Sequence, residues 1–351
     1  MPKPRISLLV GNPTARTGKA GKAIEAAMAG LAEARLHPEF FSTLPAGATV
    51  AALAERLERG DVARAIYLGG DGTFAETAKG IILAREQYGL DVPMGMLPMG
   101  TANDQGRSFG VRSGARALPA NIKVIAAGIE QWLDVGKVEA FGPGGELLCR
   151  DLWFDSWGVG LSAQILAKRN RDRDFVARIP LVRQIYRDKL VYIRAGLSSY
   201  LKHILKSMIG RARFAAEIRV DEQVLRFDAL NDIVVKGTLL YGGDWIFAPD
   251  GKPDDGKFEV IIVKNSADWG AAAIGSHKRN PVTGDDLAVL GLPRRVIPSG
   301  RTIEIRITRP EGMPPLPAQI DGEEFPPADH YRIENLYHYL RILVPEDPHW
   351  V

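Results

Sequence analysis

The stretch Ala65-Ile66-Tyr67-Leu68-Gly69-Gly70-Asp71-Gly72-Thr73-Phe74-Ala75-Glu76-Thr77-Ala78 decides the fold of this chain. Its first four residues are an apolar run that reads as a buried strand, and residues 74–83 read as a helix. Three glycines at the strand-to-helix turn leave the backbone free of Cβ atoms, so its N–H groups can approach an anion at a helix N-terminus. Asp71 and Thr73 add a carboxylate and a hydroxyl suited to a hydrated cation and a phosphate oxygen. Two readings follow: a phosphate cradle, or a tight glycine turn in which Asp71 caps the helix.

On both sides of this loop the first third of the chain alternates strands and helices. Residues 6–10, 38–43, 65–68 and 94–98 read as strands, and 20–34, 49–59, 74–83 and 119–127 as helices. Repeated βα units of this length predict a doubly wound, mostly parallel sheet, with ligands at the carboxyl ends of its strands. Near Leu133 the pattern changes to period-2 strands separated by Gly and Pro turns, at 132–139, 215–220, 231–236, 258–263 and 301–307. That part reads as an antiparallel sandwich or half-barrel. The expected division is an α/β nucleotide-binding domain over 1–132, a β-sandwich domain over 133–330, and a C-terminal segment, 331–351, returning to the first domain.

The 351 residues suit two domains, and 46% hydrophobic with 25% charged residues is ordinary for a globular chain. A lone cysteine, Cys149, cannot form an intramolecular disulfide, which favours a reducing, cytoplasmic compartment. No secretory signal is read at the N-terminus, and no apolar run approaches the ~20 residues that span a bilayer. The net charge of +3 conceals an asymmetry: from Lys168 to Arg213 there are 13 Lys or Arg and three Asp. Within that segment residues 181–209 read as a long basic amphipathic helix. It suits either an anionic membrane surface or a solvated face covering the sandwich core. No nucleic-acid module accompanies it.

Three further loops carry chemistry. Asn12-Pro13-Thr14-Ala15-Arg16-Thr17-Gly18 follows the first strand, Pro98-Met99-Gly100-Thr101-Ala102-Asn103-Asp104 follows another, and Asp321-Gly322-Glu323 lies far away in sequence. In this order, with the glycine loop, they resemble the diacylglycerol kinase catalytic family, bacterial lipid kinases above all, with sphingosine kinases as relatives. Leu133-Asp134-Val135-Gly136, Gly158-Val159-Gly160, Tyr241-Gly242-Gly243 and Asp255-Gly256-Lys257-Phe258 extend the resemblance over nearly the whole chain.

The resemblance implies an α/β domain and a β-sandwich domain, in the manner of NAD kinases and diacylglycerol kinases, with ATP in the cleft between them. It places Asn12, Pro13, Thr14, Ala15, Arg16, Thr43, Gly69, Gly70, Asp71, Gly72, Thr73, Phe74, Ala75, Thr101 and Asn103 at the nucleotide. It makes Asp71, Asp104 and Asp134 an acidic network for Mg²⁺, partly through water, in keeping with an ion that keeps several waters. It makes Asp321 and Glu323 the catalytic pair, one accepting the proton of an attacking alcohol. Which of the two is the base stays open. A second, structural Mg²⁺ would be held by Asp255 and the carbonyls of Lys252 and Lys257; an acidic turn capping a hairpin is the alternative.

The implied activity is ATP-dependent phosphorylation of a lipid hydroxyl, diacylglycerol or a sphingoid-type acceptor, by a protein peripherally associated with a membrane. An NAD kinase-like phosphotransferase and a non-catalytic nucleotide-binding regulator are the alternatives. Oligomeric state is open, a homodimer included. The chain departs from the family pattern at Gln105-Gly106-Arg107, at Asp155 where the family has asparagine, and at Lys236-Gly237 where it has Asn-Gly. These departures bear on the acceptor rather than on the nucleotide.

Overall fold

A computed structural model describes residues 5–15, 19–100, 103–167, 213–243, 245–265, 268 and 297–348. The basic segment and the long helix expected within it lie outside the described residues, apart from Arg213.

Strands β1 (Ile6–Gly11), β2 (Pro38–Ser42), β3 (Val62–Gly69) and β4 (Met94–Pro98) pair in parallel in the order β2-β1-β3-β4. Helices α1 (Lys19–Glu33), α2 (Thr49–Glu58), α3 (Asp71–Tyr88), α4 (Asp104–Ser108) and α5 (Leu118–Ala127) follow or connect them. The strand interiors are buried because both faces are covered. Leu8, Val10, Ala65 and Tyr67 face a cluster with Leu53, Phe74 and Ile81, while Leu9, Ile66 and Leu68 face one with Ile24, Leu31 and Ile125. The chain leaves β1 in opposite directions to β2 and β3, so the loops after β1 and β3 flank the switch point where such sheets bind ligands.

The sheet does not stop at β4. Strand β5 (Glu130–Phe141) continues into β6 (Leu147–Trp153) and β7 (Ser156–Gly160); β8 (Phe214–Val220), β9 (Gln223–Leu230), β10 (Asp232–Lys236), β11 (Phe258–Val263), β12 (Ser299–Gly300), β13 (Thr302–Thr308), β14 (Ala318–Ile320), β15 (Glu323–Phe325) and β16 (His330–Leu343) follow. The 14-residue β16 pairs antiparallel with β5 and β13 and, at Ile342, in parallel with Met94 of β4. One ten-stranded sheet therefore runs through the molecule. Its first half is layered with helices. Its second half packs on a six-stranded sheet, order β12-β11-β10-β7-β14-β15, across a core of Trp153, Trp157, Phe214, Ile218, Ile233, Val235, Phe258, Ile305 and Tyr331. The molecule is thus an N-terminal α/β domain with a separate C-terminal antiparallel sheet domain. No helix among the described residues is long and apolar enough to cross a membrane.

Candidate active site

The carboxyl ends of the parallel strands are aligned: Gly11 lies opposite Leu68 and Ser42, and Gly69 opposite Pro98. Their loops therefore emerge side by side. After β1, the Asn12 Oδ1 accepts the Thr14 N–H at 2.9 Å and its hydroxyl at 2.8 Å, a local turn that includes Pro13 and Ala15. The Thr43 N–H donates to the Gly11 carbonyl at 3.0 Å, which brings this half-buried threonine to the same edge. Arg16 and Thr101 lie outside the described residues.

The glycine loop is shaped by contact. A Cβ on Gly69 would stand 2.4 Å from the Thr73 hydroxyl oxygen, and one on Gly100 would stand 2.6 Å from the Gly70 Cα. The N–H groups of Met99 and Gly100 both donate to the Gly69 carbonyl, at 2.6 and 3.0 Å. Only chains without Cβ atoms can cross this closely. Gly72 differs, since a Cβ there would meet nothing within 4 Å. Gly70 stands at the N-terminus of α3, with Asp71 in the first turn and Ala75 half-buried beyond it. Phe74 does not line the cleft with its side chain: the ring is fully buried, edge-to-face against Tyr67 and Phe154 at centroid distances of 5.3 and 5.6 Å. Its assignment to the nucleotide rested on the motif alone, and the core claims the side chain.

Asn103 is held in the left-handed region at φ 56°. Its Oδ1 accepts the Gly100 N–H at 2.7 Å and its own N–H donates to Asp71 Oδ2 at 3.2 Å, so it fastens the two loops together. Asp104 follows at the start of α4. Asn103 Nδ2, Asp104 Oδ1 and Gln105 Oε1 are buried without a hydrogen-bond partner among the described residues. Three successive residues thus carry a buried polar atom that no described residue satisfies.

Asp321 enters from the other domain. Strands β14 and β15 form a hairpin whose two loop residues, Asp321 (φ 48°) and Gly322 (φ 80°), both have positive φ, as the favoured two-residue turn demands. The carboxylate folds back onto the chain before β7. Its Oδ1 accepts the N–H groups of Asp155 (2.7 Å) and Ser156 (3.1 Å), and its Oδ2 that of Phe154 (2.9 Å). Glu323, two residues on, is exposed. The pair that sequence leaves equivalent is thus unequal: only Asp321 is built into the cleft.

The carboxylates feel one another. Burial, then the charges of Asp104, Asp155 and Asp321, pushes Asp71 up to about 7. Burial and the charge of Asp155 push Asp321 up to about 7 against three stabilising N–H bonds. Burial and Asp155 push Asp104 up to about 6, with Lys236, the Gly242 N–H and Arg107 opposing. Among the described residues the buried ammonium beside them is that of Lys236, which is 2.7 Å from Asp155 Oδ1.

Asp155 is thus the residue that motif reading missed as a member of this cluster, while Asp134 makes its hydrogen bonds elsewhere. Asp134 Oδ1 accepts the His338 N–H at 2.8 Å, and its Oδ2 accepts the Gly256 N–H at 2.6 Å and the Asn335 amide at 3.2 Å. Its own N–H donates to the Pro253 carbonyl. It is a fastener between β16 and the loop that carries Lys252, Asp255 and Lys257. In that loop Asp255 Oδ1 accepts the Lys257 N–H at 3.1 Å, a turn-capping bond. Its charge adds to burial in pushing Glu259 up to about 7.

No three His, Cys, Asp or Glu side chains among the described residues converge closely enough to hold one metal ion. Magnesium does not need them, because it takes one or two carboxylates and keeps water in its remaining positions. Asp71 and the orphaned Asp104 Oδ1 fit that requirement beside the Cβ-free crossing of Gly70 and Gly100.

Fold and site together define a class: a two-domain protein whose nucleotide-binding-type sheet presents an acidic cleft to a second, antiparallel domain. Residues 7–138 match the model of the diacylglycerol kinase catalytic domain, and the resemblance read from the motifs holds. A diacylglycerol kinase of Staphylococcus saprophyticus is 26% identical over 282 residues, covering 78% of this chain and 79% of that protein. A crystal structure of a diacylglycerol kinase from Bacillus anthracis superposes with TM-score 0.65 at 19% identity, over 98% of this chain and 97% of the other. A yeast NADH kinase complexed with NADH superposes with TM-score 0.51 at 10% identity, over 99% and 85%. At these identities the structural likenesses speak for the fold alone.

Proposed function

We propose that the protein is an ATP-dependent lipid kinase, with a diacylglycerol or sphingoid-type alcohol as acceptor. The observation that carries this reading is the largely sequestered acidic cluster in which Asp71 and Asp104, from the glycine-loop side, feel the charge of Asp155 from the other domain, and Asp71 that of Asp321 as well. A divalent cation, when bound, would neutralise phosphate and carboxylate charge there, held by Asp71 and Asp104. Phosphate oxygens would lie against the N–H groups of the loop over 69–73 and the N-terminus of α3. Asp321 would orient the acceptor hydroxyl and take its proton as the alcohol oxygen bonds to the γ-phosphorus and the bond to the β,γ-bridging oxygen breaks, releasing ADP. A base pushed up to about 7 is matched to neutral pH, where it is substantially ionised and still basic enough to receive a proton. Peripheral docking on a membrane is part of the same proposal, motivated by the basic residues between Lys168 and Arg213.

The test is incubation with γ-labelled ATP, Mg²⁺ and a total lipid extract, with identification of the labelled product. A labelled phospholipid made by the wild type and not by Asp321→Asn supports the reading. Label appearing on NAD and on no lipid would overturn it in favour of the NAD kinase alternative.

A further inference from the structure

Asp155 and Lys236, read in the sequence as two separate departures, are one object in the fold. Both side chains are buried, at 7% and 1% exposure, and Lys236 Nζ lies 2.7 Å from Asp155 Oδ1. The same ammonium donates to the Leu240 carbonyl at 2.7 Å, and the Thr238 hydroxyl also bonds Asp155 Oδ1. The backbone repeats the attachment, since the Gly237 N–H donates to the Asp155 carbonyl at 2.9 Å. Residue 155 is therefore clamped by the segment that leaves β10.

That segment is in turn fixed to the nucleotide side. The Leu240 N–H donates to Ser108 Oγ at 3.1 Å, and the Arg107 guanidinium donates to the Gly243 carbonyl at 3.0 Å. A continuous line of hydrogen bonds follows: Ser108 on α4, Leu240, Lys236, Asp155, and then the Asp155 N–H to Asp321, the shortest of the three that hold that carboxylate. One end is the helix that begins at Asp104, and the other is the carboxylate of the opposite domain.

We propose that Lys236 and Asp155 form a positioning pair that registers Asp321 against the Asp71–Asp104 side of the cleft, a role that rests on the kinase reading for its catalytic consequence. The pair acts through Asp321 and need not touch substrate. An asparagine at each position would be neutral, and one partner alone leaves a buried charge unmatched, so the two positions are coupled.

The experiment compares Lys236→Met, Asp155→Asn, the double variant D155N/K236N and Asp321→Asn in two measurements. In phosphotransfer, each single variant of the pair lowers kcat by about 10- to 100-fold, the scale of a misplaced catalytic group, with KM for ATP little changed. The double variant regains most of the rate. In amide NMR, the Asp155 N–H resonance of a further variant, Asp321→Ala, marks the loss of the bond to that side chain, and in K236M the same resonance moves toward that position. A wild-type kcat in K236M, or a double variant no faster than the slower single one, overturns the inference. An Asp155 resonance in K236M unmoved from wild type does so too. If the wild type transfers phosphate to nothing, the kinase reading falls while the NMR comparison still decides the positioning. If K236M fails to fold, D155N and the double variant carry the same comparison.

Discussion

Gly70 and Gly100 meet backbone to backbone: a Cβ on Gly100 would stand 2.6 Å from the Gly70 Cα and 2.7 Å from Asn103 Oδ1. Neither obstacle is the free end of a flexible side chain. One is main chain, and the other is an amide already bonded to the Gly100 N–H. The contact makes the two loops a single rigid floor, with Asn103 as the rivet from Gly100 to Asp71. Motif spacing names both loops but gives no hint that they touch.

Gly100→Ala should therefore be far worse than Gly72→Ala. The first must push two main chains apart, and overpacking of this kind costs about 1–3 kcal/mol. The second places a methyl group in open space at a residue without positive φ, so its melting temperature should stay near wild type. Thermal unfolding of the two variants checks this; equal losses would mean that the crossing does not exist as described.

Asp321→Asn should abolish transfer while leaving the fold intact. Asparagine keeps an oxygen for the N–H groups at 154–156 but cannot take a proton, and loss of a general base costs roughly 10²–10⁴-fold. Glu323→Gln, at an exposed position beyond the turn, should retain most of the rate. Single-turnover assays with a melting curve for each variant separate the two residues. The reverse ranking would move the base to Glu323.

The acidic cleft also sets a pH dependence of stability. Asp71 and Asp321 are pushed from 3.8 to about 7 and Asp104 to about 6, so each favours the fold when protonated. That contribution is complete below the unfolded value near 3.8 and is lost as pH rises through about 6–7. Without divalent cations the melting temperature should fall between about pH 4 and 7, D321N should flatten the slope, and Mg²⁺ should raise the curve most at the alkaline end. Scanning fluorimetry with and without chelator reads all three. Parallel curves for wild type and D321N would contradict the coupling.

Sequence carried the first half of the fold well, because a parallel βα sheet is written locally. The strands expected at 6–10 and 94–98 are β1, extended by one residue, and β4 with the same bounds; the helix expected at 20–34 is α1. The glycine loops were legible for the same reason. What failed to show was long-range pairing. The 14-residue β16 breaks its own alternation at a bulge, where His338 has φ 49°. Its partners in β5 lie some 200 residues earlier, so no local pattern reveals them. Asp155 and Lys236 are 81 residues apart and looked like unrelated losses of asparagine until the fold put one against the other. The distinction between Asp321 and Glu323 depended on which of them reached the N–H groups before β7, again invisible along the chain.

Asp134 supplies the last prediction, because the motif and the structure assign it opposite roles. A metal-binding aspartate can be replaced at little cost to folding, and its loss is felt in turnover. A buried fastener behaves the other way. Asp134→Ala strips acceptors from the N–H groups of Gly256 and His338 and from the Asn335 amide. Leaving the buried Asn335 donor unmatched costs about 1–3 kcal/mol, and the half-buried Gly256 and His338 N–H groups cost less. Burial pushes the Asp134 carboxyl up, while the bonds from His338, Gly256 and Asn335 pull it down. The variant should therefore unfold several degrees earlier. Below that transition, its metal dependence and kcat per folded molecule should stay close to wild type. A loss of Mg²⁺ dependence at unchanged stability would return Asp134 to the acidic network that the motif suggested.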